Sequence, residues 1–257
     1  LEAIIETRVS ARAKTQRERS MIKPFDAAEI ACLVRGWSLG KTMRAVFNEA
    51  DVNAVLVGET GFFASPEISA ALSPLFAIAE PDNPGPLLTL LRSPLFGFSD
   101  DFIALLALDK DDKTPLSLGA LLDGSLKRPE TGDALDALSW DCFSRSISAL
   151  RDSINGGVPV YEALDVCLAD LRYAAAYLSE PLGADALANL SALPERLADV
   201  ESSVSGLDAL VRELKVLVEK DDETPKTPIA SVSDDAVKIM TQHGSKGLEF
   251  AVVISMN

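Results

Sequence analysis

Short, uninterrupted apolar runs of strand length occur near both ends of this chain, and between them apolar residues recur at helical spacing for roughly 160 residues. The first run, Ile30 to Val34 (IACLV), is bounded by Asp26 and Glu29 on one side and by Arg35-Gly36 on the other. Such a run suits a strand buried on both faces. A stretch with Leu39, Met43, Val46 and Phe47 near helical spacing follows, then a second short run, Val55 to Val57, closed by Gly58. Strand, helix and strand within about 30 residues predict a βαβ unit, hence parallel strands. Two more strand candidates, Val237–Met240 and Ala251–Ser255, stand near the far end around a glycine-containing loop.

The intervening sequence predicts helices over Glu67–Ala79, Pro86–Leu91, Ser99–Leu108, Ala134–Asn155, Val160–Leu178, Ala184–Val200 and Ser205–Lys220, with breaks at PDNPGP (81–86), NGGVP (155–159) and SEPLG (179–183). Ser99 before Asp100, Asp101 and an apolar run reads as a helix N-cap with acids placed favourably for the helix dipole. The tract KDDETPKTP (220–228) reads as a linker. The pattern as a whole describes an α/β sheet interrupted by a helical insertion, after which the chain rejoins the same sheet.

With 47% hydrophobic and 25% charged residues in 257, the chain has ample material for a core, which excludes wholesale disorder. No run approaches the roughly 18–20 apolar residues needed to span a bilayer. The opening LEAIIETRVSARAKTQRERS lacks a basic flank followed by an apolar block, so a cytoplasmic location is expected. The start at Leu1 and the stop inside the strand-like AVVISMN suggest a piece of a longer protein. Cys32, Cys142 and Cys167 are too widely spaced for a CxxC metal site or a disulfide framework and read as reduced side chains.

The formal net charge of −15 argues at first against a nucleic-acid partner, because phosphate binding requires basic surface. That charge is unevenly spread. Residues 1–45 are net +4, residues 237–257 net +1, and residues 46–236 net −20. The basic ends are where a polyanion could sit. The acidic middle reads most simply as a solvated face.

The most specific stretch is VKIMTQHGSKGLEFAVV, residues 237–253. It reads as a strand ending at Thr241, a tight loop containing Gly244 and Gly247, then Glu249 and a second strand. The glycines permit close backbone approach to a ligand. Lys246 and His243 could meet a phosphate, and Glu249 could accept from sugar hydroxyls. On physics alone a purely structural loop is an equally open reading.

Its core, MTQHGSKGLEF, resembles motif V of superfamily 1 helicases of the UvrD/Rep/PcrA and RecB/AddA type, M-T-x-H-x-[SA]-K-G-L-E-[FW], with Thr241, His243, Ser245, Lys246, Gly247, Leu248, Glu249 and Phe250 all at defining positions. AEIACLVRGWS (28–38) is similar to the strand motif D-I-A-[VI]-L-x-R-[ST]-x of that family. VGETGFFASPE (57–67) is similar to its gG-x-x-FF-x-x-x-E turn, and LLRSPLFGFSDD (90–101) to the AddA/RecB branch in particular.

The resemblance implies a RecA-like domain 2A, of P-loop NTPase type, interrupted by a mostly α-helical insertion domain 2B. The implied boundaries are 2A at 1–65, 2B at 66–230, and 2A resumed at 231–257. It further implies ATP contacts through Glu249, at the ribose, and Gly247. DNA contacts would come from His243, Arg35 and Trp37, and a coupling loop would be formed by Thr241, Ser245 and Lys246. UvrD-like members place a basic DNA contact at the turn where Gly61 and Phe62 stand here. No G-x-x-x-x-G-K-[ST] phosphate loop is present, and Arg8, Arg12 and Arg17 stand in no matching motif context. Catalytic residues are therefore not expected in this segment, nor is activity by the segment alone. The whole protein would be an ATP-dependent DNA helicase, or helicase–nuclease, of double-strand-break repair and recombination, moving 3′ to 5′ on single-stranded DNA. It would use ATP and Mg²⁺, the N-terminal RecA-like ATPase domain of the same chain and an AddB/RecC-like partner subunit. The alternatives are a non-catalytic docking or regulatory module for duplex DNA or a partner subunit, and a helicase-like protein without its catalytic lobe.

Overall fold

The computed structural model describes residues 25–58, 60–108, 115–129, 134–178, 183–219 and 235–256. The basic residues before Phe25 and the expected linker at 220–228 lie outside them. The chain divides into two compact units, Leu1–Gly58 with Ala230–Asn257, and Glu59–Ile229.

The first unit is α/β. Strand β1 (Ile30–Val34) is followed by helix α1 (Trp37–Glu49) and strand β2 (Ala54–Leu56); after the second unit come β3 (Val237–Thr241) and β4 (Val252–Ser255). The sheet is entirely parallel and runs β2-β3-β1-β4. The strand–helix–strand reading of residues 30–57 therefore holds in direction but not in adjacency. Strand β3, far downstream of β2 in the chain, inserts between β1 and β2, pairing Val34 with Thr241 and Leu56 with Ile239.

Ile30, Cys32 and Val34, with Ala54, Leu56, Val237 and Ile239, form one buried face, which packs with Phe47 of α1. Helix α1 comes close at Gly40, where a Cβ would lie 3.2 Å from Leu56 Cδ2 and 3.5 Å from both Ile239 Cγ2 and Val34 Cγ2. Trp37 is half-buried and packs against the same cluster. Both faces of β1 are mostly buried, as its unbroken apolar run requires.

The second unit is helical. Its helices are α2 (Pro66–Ala79), α3 (Pro84–Arg92), α4 (Asp100–Leu108), α5 (Leu118–Leu122), α6 (Ala134–Asn155), α7 (Val160–Asp170), α8 (Gly183–Ser202) and α9 (Leu207–Glu219). Their cores meet through Phe62, Leu72, Leu75, Phe102, Phe143, Ile147, Leu164, Leu197 and Leu214, among others. Helix α2 runs through Pro74, which cannot donate to the carbonyl four residues back. The hydroxyl of Ser73 donates to that same Ala70 carbonyl at 2.7 Å, so the acceptor is not orphaned.

Ser99 caps α4 as expected: its Oγ accepts from Phe102 N at 3.1 Å. Asp136 holds this cap from 37 residues away, accepting from Ser99 Oγ at 2.8 Å and Ser99 N at 3.2 Å. The helix expected over 160–178 is shorter. It ends at Asp170, Arg172 turns left-handed (φ 52°), and a 3₁₀ segment follows at Tyr173–Tyr177. The reason is tertiary. The turn brings the Tyr173 hydroxyl to within 3.1 Å of the Glu67 carbonyl and 2.7 Å of the Tyr177 hydroxyl. The short helix α5 was not expected; Ser117 Oγ caps it by accepting from Ala120 N at 3.2 Å.

Candidate functional site

In a parallel sheet all strands end at one edge, and ligands of open α/β folds bind outside that edge. Because Val34 pairs with Thr241, the two segments that follow, Arg35–Trp37 and Gln242–Lys246, leave the sheet side by side. Arg35, His243 and Lys246 are placed there; Arg35 and His243 are exposed, and Trp37, Thr241 and Ser245 are half-buried. Among the described residues, the side chains of Arg35, Gln242, His243, Lys246 and Glu249 engage no hydrogen-bond or ion-pair partner. They are polar groups presented to solvent without a structural commitment.

The segment after β3 is wound into consecutive turns. Thr241 O accepts from Ser245 N (3.1 Å), His243 O from Lys246 N (3.3 Å) and Ser245 O from Leu248 N (3.1 Å). Thr241 Oγ1 accepts from Gly244 N at 3.1 Å, and Ser245 Oγ donates to Gln242 O at 3.0 Å. Gly247 ends the winding in the left-handed region (φ 83°), which glycine adopts without steric penalty.

The same segment is the crossover from β3 to β4, which flank β1 on opposite sides. It starts level with Val34 and ends level with Ile30, the partner of Val252. Four residues of strand separate those levels, roughly 13 Å. His243 and Lys246 therefore belong to the limb at the carboxyl edge, with Arg35 and Trp37. Glu249, three residues before β4, belongs to the returning limb and is exposed. The Lys238 ammonium lies 5.6 Å from the Phe250 ring centroid, a cation–π contact that ties this limb to β3. No sequence signal identified that contact, because its partners are twelve residues apart on different elements.

At the turn expected to follow β2, Gly61 is left-handed (φ 85°) and Phe62 is fully buried in the helical unit, with the Arg196 guanidinium 4.2 Å from its ring centroid. Phe62 is a core residue. Among the described residues no group of three or more His, Cys, Asp or Glu could hold a metal ion. No helix among them is long and apolar enough to cross a membrane. All three cysteines are free, and burial pushes the Cys32 and Cys167 thiols up to about 11.

A parallel α/β sheet with an exposed, glycine-bounded loop at its carboxyl edge, accompanied by a separate helical unit, defines the class. No protein-family profile matches the chain. It is 34% identical over 200 residues to an ATP-dependent helicase/nuclease protein of the AddA type from Acetivibrio thermocellus, covering 76% of this chain and 15% of that protein. It is 30% identical over 247 residues to the exonuclease/helicase protein RexA of Lactococcus lactis subsp. cremoris, covering 89% and 19% respectively. With the corresponding ATP-dependent helicase/nuclease protein of Geobacillus kaustophilus it shares 30% identity over 251 residues, covering 94% and 19%. The motif resemblance and these relatives agree: the chain corresponds to an AddA-like helicase region. It spans about a fifth or less of the length of the curated relatives it matches.

Proposed function

We propose that this chain is the interrupted second motor domain of an AddA-like ATP-dependent DNA helicase. On this reading 2A comprises residues 1–65 and 231–257, and the helical 2B comprises 66–230. The division of the chain into a parallel-sheet unit and a helical unit supports that outline. The whole protein would translocate on single-stranded DNA and unwind duplex in break repair, with a partner of AddB/RecC type. The observation that carries the reading is the meeting of Arg35, Trp37, His243 and Lys246 at one sheet edge, on a loop with the helicase motif, with the three polar side chains uncommitted.

The chemistry follows from the two limbs of that loop. Arg35 and Lys246 carry positive charge to a phosphate backbone, and His243 donates to it. Trp37, half-buried against the core, offers its remaining surface for stacking, a contact worth about 1–3 kcal/mol. Glu249 is an exposed carboxylate with free acceptor capacity, which fits ribose hydroxyls, and Gly247 leaves room for close approach. ATP with Mg²⁺ supplies the free energy of translocation when bound by the complete enzyme. The residues here would hold only the sugar side of it and pass movement along Thr241–Lys246. This chain alone is expected to show no DNA-stimulated ATP hydrolysis. The −20 charge of residues 46–236 favours a second role for the helical unit, docking of a partner protein, over duplex binding.

The test is substitution in a full-length AddA-like protein carrying this region. Glu249→Ala should raise the ATP concentration for half-maximal turnover. His243→Ala should raise the corresponding DNA concentration and leave the ATP dependence alone. Both variants behaving as the parent would refute the assignment.

A further inference from the structure

We propose that Thr241 is a positioning residue, whose hydroxyl caps the turn that carries His243 and Lys246 and so sets where they meet nucleic acid. This rests on the reading that the carboxyl edge faces DNA. Thr241 is the last residue of β3, held in register by its pairing with Val34. Its Oγ1 accepts from Gly244 N at 3.1 Å and its carbonyl from Ser245 N at 3.1 Å. A side-chain oxygen accepting three residues on, beside a carbonyl accepting four residues on, is the bond pattern of a helix N-cap. Here it closes a single turn, which Gly247 ends on the other side.

The fit leaves little room. A Cβ at Gly244 would lie 3.2 Å from Thr241 Oγ1 and 3.6 Å from Thr241 O, so glycine is what lets the amide come down onto the cap. Ser245, half-buried, spends its hydroxyl on the Gln242 carbonyl inside the same turn. The two hydroxyls of the segment are thus turned inward to shape it, while Gln242, His243 and Lys246 have no side-chain partner among the described residues. Without the cap, the first turn competes with other loop conformations, and the His243–Lys246 pair loses its fixed spacing.

The experiment compares Thr241→Val, Thr241→Ser, Gly244→Ala and His243→Ala in a full-length AddA-like protein carrying this region, by ATP turnover across a single-stranded DNA titration. Loss of a cap of this kind shifts a turn by about fivefold. Thr241→Val should therefore raise the half-saturating DNA concentration by about three- to tenfold with kcat within about twofold, and Thr241→Ser should restore it. Gly244→Ala should shift in the same direction, and the Thr241→Val/Gly244→Ala double variant should add little to either single change. If Thr241→Val does not fold, Gly244→Ala decides. A DNA dependence unmoved by Thr241→Val, or a Thr241→Ser variant as impaired as Thr241→Val, would overturn the positioning role while a shifted His243→Ala keeps the DNA-facing loop. An unmoved His243→Ala would overturn the loop assignment and the inference together.

Discussion

The helical unit holds a carboxylate whose removal should be felt far from its own helix. Glu201, near the end of α8, accepts from Val160 N at 2.8 Å and from Tyr161 N at 3.0 Å. Those amides open α7, whose N-cap is Pro159 and provides no side-chain cap of its own. Glu201 therefore serves as the cap from 41 residues away, one oxygen per amide, with its negative charge at the positive end of the α7 dipole. Hydrogen bonds to a charged group contribute about 1.5–3 kcal/mol each, and the site is partly rather than fully buried. We expect Glu201→Ala to cost about 2–3 kcal/mol. Glu201→Gln keeps one acceptor but sets an NH₂ against the other amide, and we expect it to cost about half as much. Urea unfolding followed by far-UV circular dichroism would read the alanine change as a fall in midpoint of about 1 M, taking a slope of about 2 kcal/mol per M. An alanine variant within about 0.5 kcal/mol of the parent, or a glutamine variant as unstable as alanine, would refute the reasoning.

Two further outcomes follow from the sheet unit and its cysteines. Gly40→Val should destabilise by about 1–3 kcal/mol, because its branches would enter the contact with Leu56, Ile239 and Val34, whereas Gly40→Ala should be near neutral, the gain in helix propensity offsetting the 3.2 Å contact; thermal melts of both check this. The Cys32 and Cys167 thiols, raised by burial from 9.0 to about 11, stay protonated in the folded protein where unfolded thiols ionise. The unfolded state then holds fewer protons, so stability should fall as pH rises from 9 towards 11 and be insensitive to these groups below that window. Stability curves of Cys32→Ala and Cys167→Ala against pH should lose that alkaline slope in proportion.

Much of the local architecture was readable in the linear chain. The strands fall within a residue or so of their apolar runs, and α6 spans Ala134–Asn155 as its periodicity predicts. What could not be read was partnership. A strand's apolar run records that it is buried but not beside which neighbour, so the insertion of β3 between β1 and β2 had no local signature. The Asp136 and Glu201 caps reach across 37 and 41 residues, beyond any window in which capping is sought. Helix α7 stops early for the same kind of reason. Nothing in its apolar spacing announces that Tyr173 will bond the Glu67 carbonyl.

The candidate site divides in the same way. The residue types at 241–250 were recognisable by order alone, because a loop's chemistry is written in consecutive positions. Their arrangement was not, because it depends on the register that sets Thr241 beside Val34 and Val252 beside Ile30. That register makes the loop a crossover, with His243 and Lys246 at the carboxyl edge and Glu249 on the returning limb. It also turns Trp37 partly into the core, which its sequence neighbours left open. Sequence by itself determined which elements form and which chemistry the loop carries, since both are encoded over a few residues by periodicity and side-chain type. Tertiary structure alone decided which strands are neighbours and which side chains share an edge, since those contacts are set by burial between segments nearly two hundred residues apart.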